Sequence, residues 1–124
     1  MRETVYWVWF LTAGILILIL AGLHMMVMHL NGFVELFSPA GGSPVTWENV
    51  VYRSHSPFFA FTYIILLGAV LYHGFYGLRT IVFELGLKKP TERYVTIFLW
   101  VVGIFLFVIG TYAAVASKAL ETAV

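Results

Sequence analysis

The chain has 124 residues, enough for one domain, and 61 % of them are hydrophobic against 10 % charged. Mean hydropathy is +0.94, and a soluble domain of this size needs a polar surface that such a composition cannot supply. A net charge of +1 with no basic run points away from nucleic acid, and the absence of cysteine excludes disulfides, thiolate metal ligands and Fe–S ligation by this chain.

A helix needs about 20 apolar residues to cross a hydrocarbon core. Three segments meet that length, at about 5–30, 57–85 and 94–117. The expected fold class is therefore an all-α membrane protein with three transmembrane helices in a single domain, 1–124. The uncharged run over 4–34 is too long for a secretory h-region, and no A-x-A-like site follows it, so it reads as a retained helix.

The connection over 30–56 carries Asn31-Gly32, Pro39, Gly41-Gly42 and Pro44, which break regular structure. Phe33, Val34, Leu36, Phe37 and Trp47 make it too apolar for a free linker. An interfacial position is expected, with a short helical piece near 46–52. Ser56 can cap the second span, and Pro57 suits its first position, where a missing N–H costs nothing. Gly86 can end that span, with Lys88 and Lys89 at its negative dipole end and Pro90 blocking continuation. Thr91 can cap the third.

Arg2, Lys88, Lys89 and Arg93 flank one face of the bilayer, with Arg79 nearby in depth, while Arg53 and Lys118 flank the other. The positive-inside rule then puts the N-terminus and the 86–93 loop in the cytoplasm and the C-terminus outside. Trp7, Trp9, Tyr94 and Trp100 can contribute to the cytoplasmic aromatic belt. The second span is long enough to tilt or protrude there, where a soluble partner can dock. Gly103 and Gly110 share a face two turns apart, and Gly110 with Ala114 forms a small-xxx-small pair. Packing within the chain and packing against a second membrane subunit both fit that pattern.

The run His73-Gly74-Phe75-Tyr76-Gly77-Leu78-Arg79 carries the chemistry. An imidazole and a guanidinium are both expensive in hydrocarbon, where ionisable groups usually line a functional site. Relative to His73, Ala69 lies at about −40°, Gly77 at about +40°, Thr80 at about −20° and Glu84 at about +20° around the helix. Small residues one turn above and below His73 would let a porphyrin plane approach. Arg79 lies about 9 Å further along and some 120° around, where it can pair with a propionate. Glu84, on the histidine face, can touch a quinone headgroup or a soluble partner. The bland alternatives are a core histidine bonded to a helix carbonyl, an arginine snorkelling to the headgroups and an interfacial glutamate.

His24 and His29 lie about 140° apart and are no chelating pair. His24 is deep enough to be a second haem ligand, whereas His29 and His55 read as interfacial or surface residues. Met25, Met26 and Met28 read as ordinary apolar side chains. No carboxylate lies mid-membrane, which weakens a proton-pump or ion-coupled transporter reading. No metalloprotease helix, Ser–His–Asp set or phosphate loop is present.

Arg53-x-x-Ser56-Pro57-Phe58-Phe59 followed by His73-Gly74-x-x-Gly77-Leu78-Arg79 resembles the hydrophobic membrane anchor of succinate dehydrogenase (complex II), particularly the C/D-type anchors of bacteria and archaea. Leu23-His24…Met28-His29 at the end of the first span resembles the D-type. The resemblance implies a complex with flavoprotein and iron–sulfur subunits and a second membrane anchor subunit, in the cytoplasmic membrane of a prokaryote. Electrons would pass from succinate through FAD and Fe–S clusters to a quinone, menaquinone or ubiquinone, with haem b held by the anchors. His73 carries over as an axial ligand of the haem iron, with His24 as the alternative or second ligand. Arg79 carries over as a propionate-side residue. Glu84 falls where the family often has Asp followed by Tyr; Leu85 follows it here, and Tyr76 or Tyr94 is left as a substitute for that tyrosine. The first span lacks the Ser/Arg pair that many C-type anchors carry near the quinone, which favours the D-type. A fumarate reductase anchor, a haem-free structural anchor and a cytochrome b subunit of another oxidoreductase are the alternatives.

Overall fold

In the computed structural model, residues 2–30, 32, 35–36 and 41–119 are described. Asn31, Phe33, Val34, Phe37 and Pro39, read above as part of the interfacial connection, lie outside them. Among the described residues four helices follow one another: α1 (Arg2–His29), α2 (Trp47–His55), α3 (Pro57–Phe83) and α4 (Lys89–Ala116). Three of them, α1, α3 and α4, are long and apolar enough to cross a membrane. At 28, 27 and 28 residues each reaches about 40 Å at 1.5 Å per residue.

The helix ends differ from expectation in instructive ways. α4 begins at Lys89, five residues before the expected start, and Lys88 rather than Thr91 holds the N-cap position. Pro90 lies inside its first turn. Proline has no N–H to lose there, and its fixed φ already suits a helix, so the residue that stops α3 from continuing opens α4 instead. α3 ends at Phe83, not at residue 85, with Glu84 at its C-cap. Gly86 then turns the chain at φ +72°, a left-handed conformation that costs glycine little. The short link makes α3 and α4 antiparallel neighbours. Ser56 closes α2 through its N–H to the Arg53 carbonyl and stands at the N-cap of α3. Its hydroxyl makes no capping bond; the fixed φ of Pro57 is what starts the helix.

α3 is the central element, with α1 packed along one side, α4 along another, and α2 against its start. Among the described residues Ala13, Val27, Phe59, Ala60 and Ala69 form the buried apolar core, and α4 buries no residue. Leu18, Phe98 and Phe105 are 76 %, 65 % and 61 % exposed, which in water would be ruinous. In hydrocarbon such side chains are at home, and the helix form satisfies every mid-span backbone group internally. Three threonine hydroxyls follow the same rule: Thr12 donates to the Val8 carbonyl, Thr80 to Tyr76 and Thr96 to Glu92.

The small glycine stripe packs within the chain. A Cβ at Gly103 would lie 2.9 Å from the Phe75 ring, and one at Gly110 would collide with Leu67. Both partners belong to α3, so these two glycines set the α3–α4 distance.

The connection before α3 has a polar core of its own. Asn49 is fully buried, and its Nδ2 donates to the Gly41 and Ser43 carbonyls and to the Thr46 hydroxyl at 3.0–3.1 Å. Arg53, one turn on, is 3 % exposed and donates to the Pro44 carbonyl. The arginine read as an outer flanking charge is thus buried, where it folds the 41–46 segment onto α2. Gly41 and Gly42 supply the positive φ which that fold requires.

Candidate functional site

The face of α3 that carries Ala69, His73 and Gly77 looks at α1. Nδ1 of His73 lies 3.0 Å from the Phe10 carbonyl oxygen. A carbonyl only accepts, so Nδ1 carries the proton and donates it. The lone pair then sits on Nε2. No described residue bonds Nε2, and that nitrogen keeps some surface although the residue is half-buried. The Phe10 ring stacks on the imidazole with centroids 4.1 Å apart and planes 5° apart.

Two glycines make this possible. A Cβ at Gly14 would stand 3.1 Å from Cε1 and 3.3 Å from Nδ1 of His73. A Cβ at Gly77 would meet the Phe10 ring at 3.4 Å. The room beside Gly77, read from sequence as space for a flat cofactor, is therefore taken by a phenyl ring of the same chain. One turn toward the start of α1, the Tyr72 hydroxyl donates to the Tyr6 carbonyl at 2.9 Å.

Arg79 faces α4. Its Nε donates to the Thr96 hydroxyl at 3.1 Å, and its guanidinium lies 4.3 Å from the centre of the Phe83 ring. Glu3 of α1 stands 4.0 Å from Nη2 but is 72 % exposed, so water screens that pair. Arg79 thereby touches all three spanning helices. It also closes one end of a cleft of about 260 Å³ between α3 and α4. Leu71, Phe75, Leu99, Gly103 and Phe107 form the apolar length of the cleft, and Tyr76, Thr96 and Trp100 stand with Arg79 among its lining. From Gly68 to Arg79 the lined stretch of α3 is about 16 Å long.

His24 and His73 are not brought together. His24 packs edge-on against Tyr63, centroids 5.8 Å apart, while His73 lies opposite Phe10 and Gly14. Ten residues of α1 separate Gly14 from His24, about 15 Å of rise, so one iron cannot bind both in this arrangement. Nδ1 of His24 is buried without a hydrogen-bond partner, as is the Thr111 hydroxyl. Glu84 is exposed at the end of α3, away from the cleft lining. Of the two candidate tyrosines, Tyr76 lines the cleft with Arg79, whereas Tyr94 is 74 % exposed.

The comparison with known families identifies the kind of chain that carries these features. The family described as the succinate dehydrogenase/fumarate reductase transmembrane subunit matches residues 2–111. The chain belongs to this family. It is similar to a succinate dehydrogenase hydrophobic membrane anchor subunit of Thermoplasma acidophilum, 26 % identical over 102 residues, covering 82 % of this chain and 76 % of that protein. No solved structure matches the chain. Family membership makes this an integral membrane anchor and implies catalytic subunits that it anchors.

Phe10, Gly14, Tyr72 and Thr96, which pack on or beside His73 and Arg79, belong to the candidate site and were not singled out from sequence. Phe10-x-x-x-Gly14 carried a usable signal: a glycine inside a helix forgoes about 1 kcal/mol relative to alanine, so it often marks a close approach. Thr96, a hydroxyl within an apolar run, was the matching signal on α4.

Proposed function

We propose that the chain is the anchor subunit of a succinate:quinone oxidoreductase that binds haem b through His73 and borders the quinone site. The reading rests on the family match over residues 2–111, and the His73 hydrogen bond, a contact that a core histidine would also make, is compatible with it. With Nδ1–H committed to the Phe10 carbonyl, Nε2 is the basic nitrogen, oriented and unpartnered, which is the arrangement metal-ligating histidines commonly use. Among the described residues no three His, Asp or Glu side chains cluster. A bare ion would want such a cluster, whereas a porphyrin brings four nitrogens and asks the protein for axial ligands only.

Bound haem would supply one-electron chemistry. This chain would supply the axial nitrogen of His73, the ring plane set by Phe10, and the positive charge of Arg79. Any further protein ligand to a haem held by His73 would come from another subunit, because His24 is too far along α1; the unsatisfied Nδ1 of His24 would leave it available to a second haem or to that subunit. The α3–α4 cleft fits a quinone headgroup at the Arg79 and Tyr76 end with its tail along the apolar length. Glu84 would lie outside that pocket, on the surface offered to the flavoprotein and iron–sulfur subunits. The orientation that goes with this places the N-terminus and the 86–93 loop in the cytoplasm of a prokaryotic cell.

The test is His73→Ala in the purified complex. Haem content by pyridine haemochrome should fall by most of its wild-type value, with the visible spectrum lost or shifted. Unchanged haem and spectrum would remove the ligand role. A fumarate reductase uses the same parts in reverse, and the quinone potential separates the two. A haem-free structural anchor is the second reading, favoured by the phenyl ring that fills the space beside Gly77. A wild-type complex with no haemochrome signal would establish it.

A further inference from the structure

We infer that Phe10 and Gly14 of α1 are positioning residues for His73, fixing which imidazole nitrogen faces the iron and how basic that nitrogen is. The inference rests on the haem reading above and assigns the part of the site that α1 contributes.

Three contacts act on one ring. The Phe10 carbonyl fixes the tautomer, since it can only accept from Nδ1–H. The Phe10 phenyl, parallel and 4.1 Å away, blocks rotation of the imidazole about its own axis. Gly14 admits the ring edge, because a Cβ there would press on Cε1 and Nδ1 together. The same carbonyl is the helical acceptor for residue 14, so the histidine shares an acceptor held rigidly by the backbone.

The consequence is electronic. Donation from Nδ1–H pushes electron density toward Nε2, strengthens its bond to a metal and favours the more oxidised iron. Loosening the hydrogen bond should weaken haem binding and raise the midpoint potential.

Gly14→Ala is the decisive variant. Alanine favours the helix by about 1 kcal/mol, so a glycine with no bearing on His73 would give an equally or more stable complex with an unchanged haem. Gly22→Ala in the same helix is the control: its Cβ would meet nothing, and it makes the same propensity gain. Phe10→Leu keeps the carbonyl and removes the stack. Each intact complex would be measured for haem content, midpoint potential by optical titration, and the low-temperature EPR signature of the oxidised haem.

Gly14→Ala should raise the potential, alter the EPR signature and lower haem affinity on the order of 10-fold. Phe10→Leu should move the same readouts less, and Gly22→Ala should move none. If Gly14→Ala fails to assemble, Phe10→Leu decides alone. A haem-loaded wild type whose Phe10→Leu and Gly14→Ala variants keep its potential and EPR signature overturns this inference and leaves His73 as ligand. A wild type without haem overturns the functional reading, and this inference with it.

Discussion

The two flanks of α3 use glycine in the same way and end up with different properties. Toward α1, Gly14 and Gly77 seat two flat rings, and the interface closes on a single imidazole held by one carbonyl. Toward α4, Gly103 and Gly110 seat Phe75 and Leu67, and beside those contacts a cleft stays open with Arg79 at one end. Both flanks engage polar side chains of α3. On the α1 side His73 and Tyr72 each meet a backbone acceptor, which cannot rotate or titrate. On the other flank Arg79 meets the Thr96 hydroxyl of α4, which itself donates to the Glu92 carbonyl, and reaches across to the exposed Glu3 carboxylate of α1 at 4.0 Å. The first arrangement suits a ligand whose direction must be constant, the second a charge that adjusts to what enters a cleft.

The same substitution should therefore behave differently on the two flanks. Gly110→Ala drives a Cβ into Leu67, and overpacking of this kind costs about 1–3 kcal/mol. Gly77→Ala brings a Cβ to 3.4 Å from a phenyl edge, an ordinary contact, while adding about 1 kcal/mol of helix propensity. Thermal unfolding of the detergent-purified complex should show a lower Tm for Gly110→Ala and an equal or slightly higher one for Gly77→Ala. The reverse order would mean that the α3–α4 distance is set elsewhere.

The spans were legible because uncharged apolar runs of more than 20 residues have few other uses. The start of α4 was misread because proline carries two opposite meanings, terminator and first-turn residue, and local sequence did not choose between them. His73 and Arg79 stood out because charge and imidazole are costly in lipid. Their partners did not: Phe10 is 63 residues away in sequence and Thr96 is 17, and α1 is apolar all round, so periodicity alone cannot say which stripe meets α3. The glycines on α4 were placed on one face correctly, but spacing does not name the neighbour. Arg53 was visible as a charge, and only the buried Asn49 beside it shows why it turns inward.

The polar half of the comparison can be sharpened at Arg79. Arg79→Lys keeps the charge and loses the planar fork that reaches Thr96 while lying on the Phe83 ring, so the exchange is not conservative. The hydrogen bond and the cation–π contact together are worth on the order of 1–2 kcal/mol at a partly exposed site. Arg79→Lys should lower complex stability by about that amount, and Thr96→Val by about half of it. If the cleft end serves a bound quinone, the apparent KM for quinone should rise in Arg79→Lys, with electron entry from succinate to the Fe–S clusters unchanged.

The smallest effect belongs to the α1 flank. Tyr72→Phe removes the hydroxyl that donates to the Tyr6 carbonyl at an exposed point one turn from the Phe10 contact. A net hydrogen bond contributes about 0.5–1.5 kcal/mol, and water or headgroups can replace this one, so the loss should lie at the low end. The Phe10–His73 stack should survive, because it is held by the Gly14 and Gly77 approaches rather than by the tyrosine. Hydrogen exchange of the first α1 turns would then quicken slightly around Tyr6 and not at residue 14. An equal increase at both positions would show that the α1–α3 flank opens as one unit, and that its rigidity starts from Tyr72 rather than from the glycines.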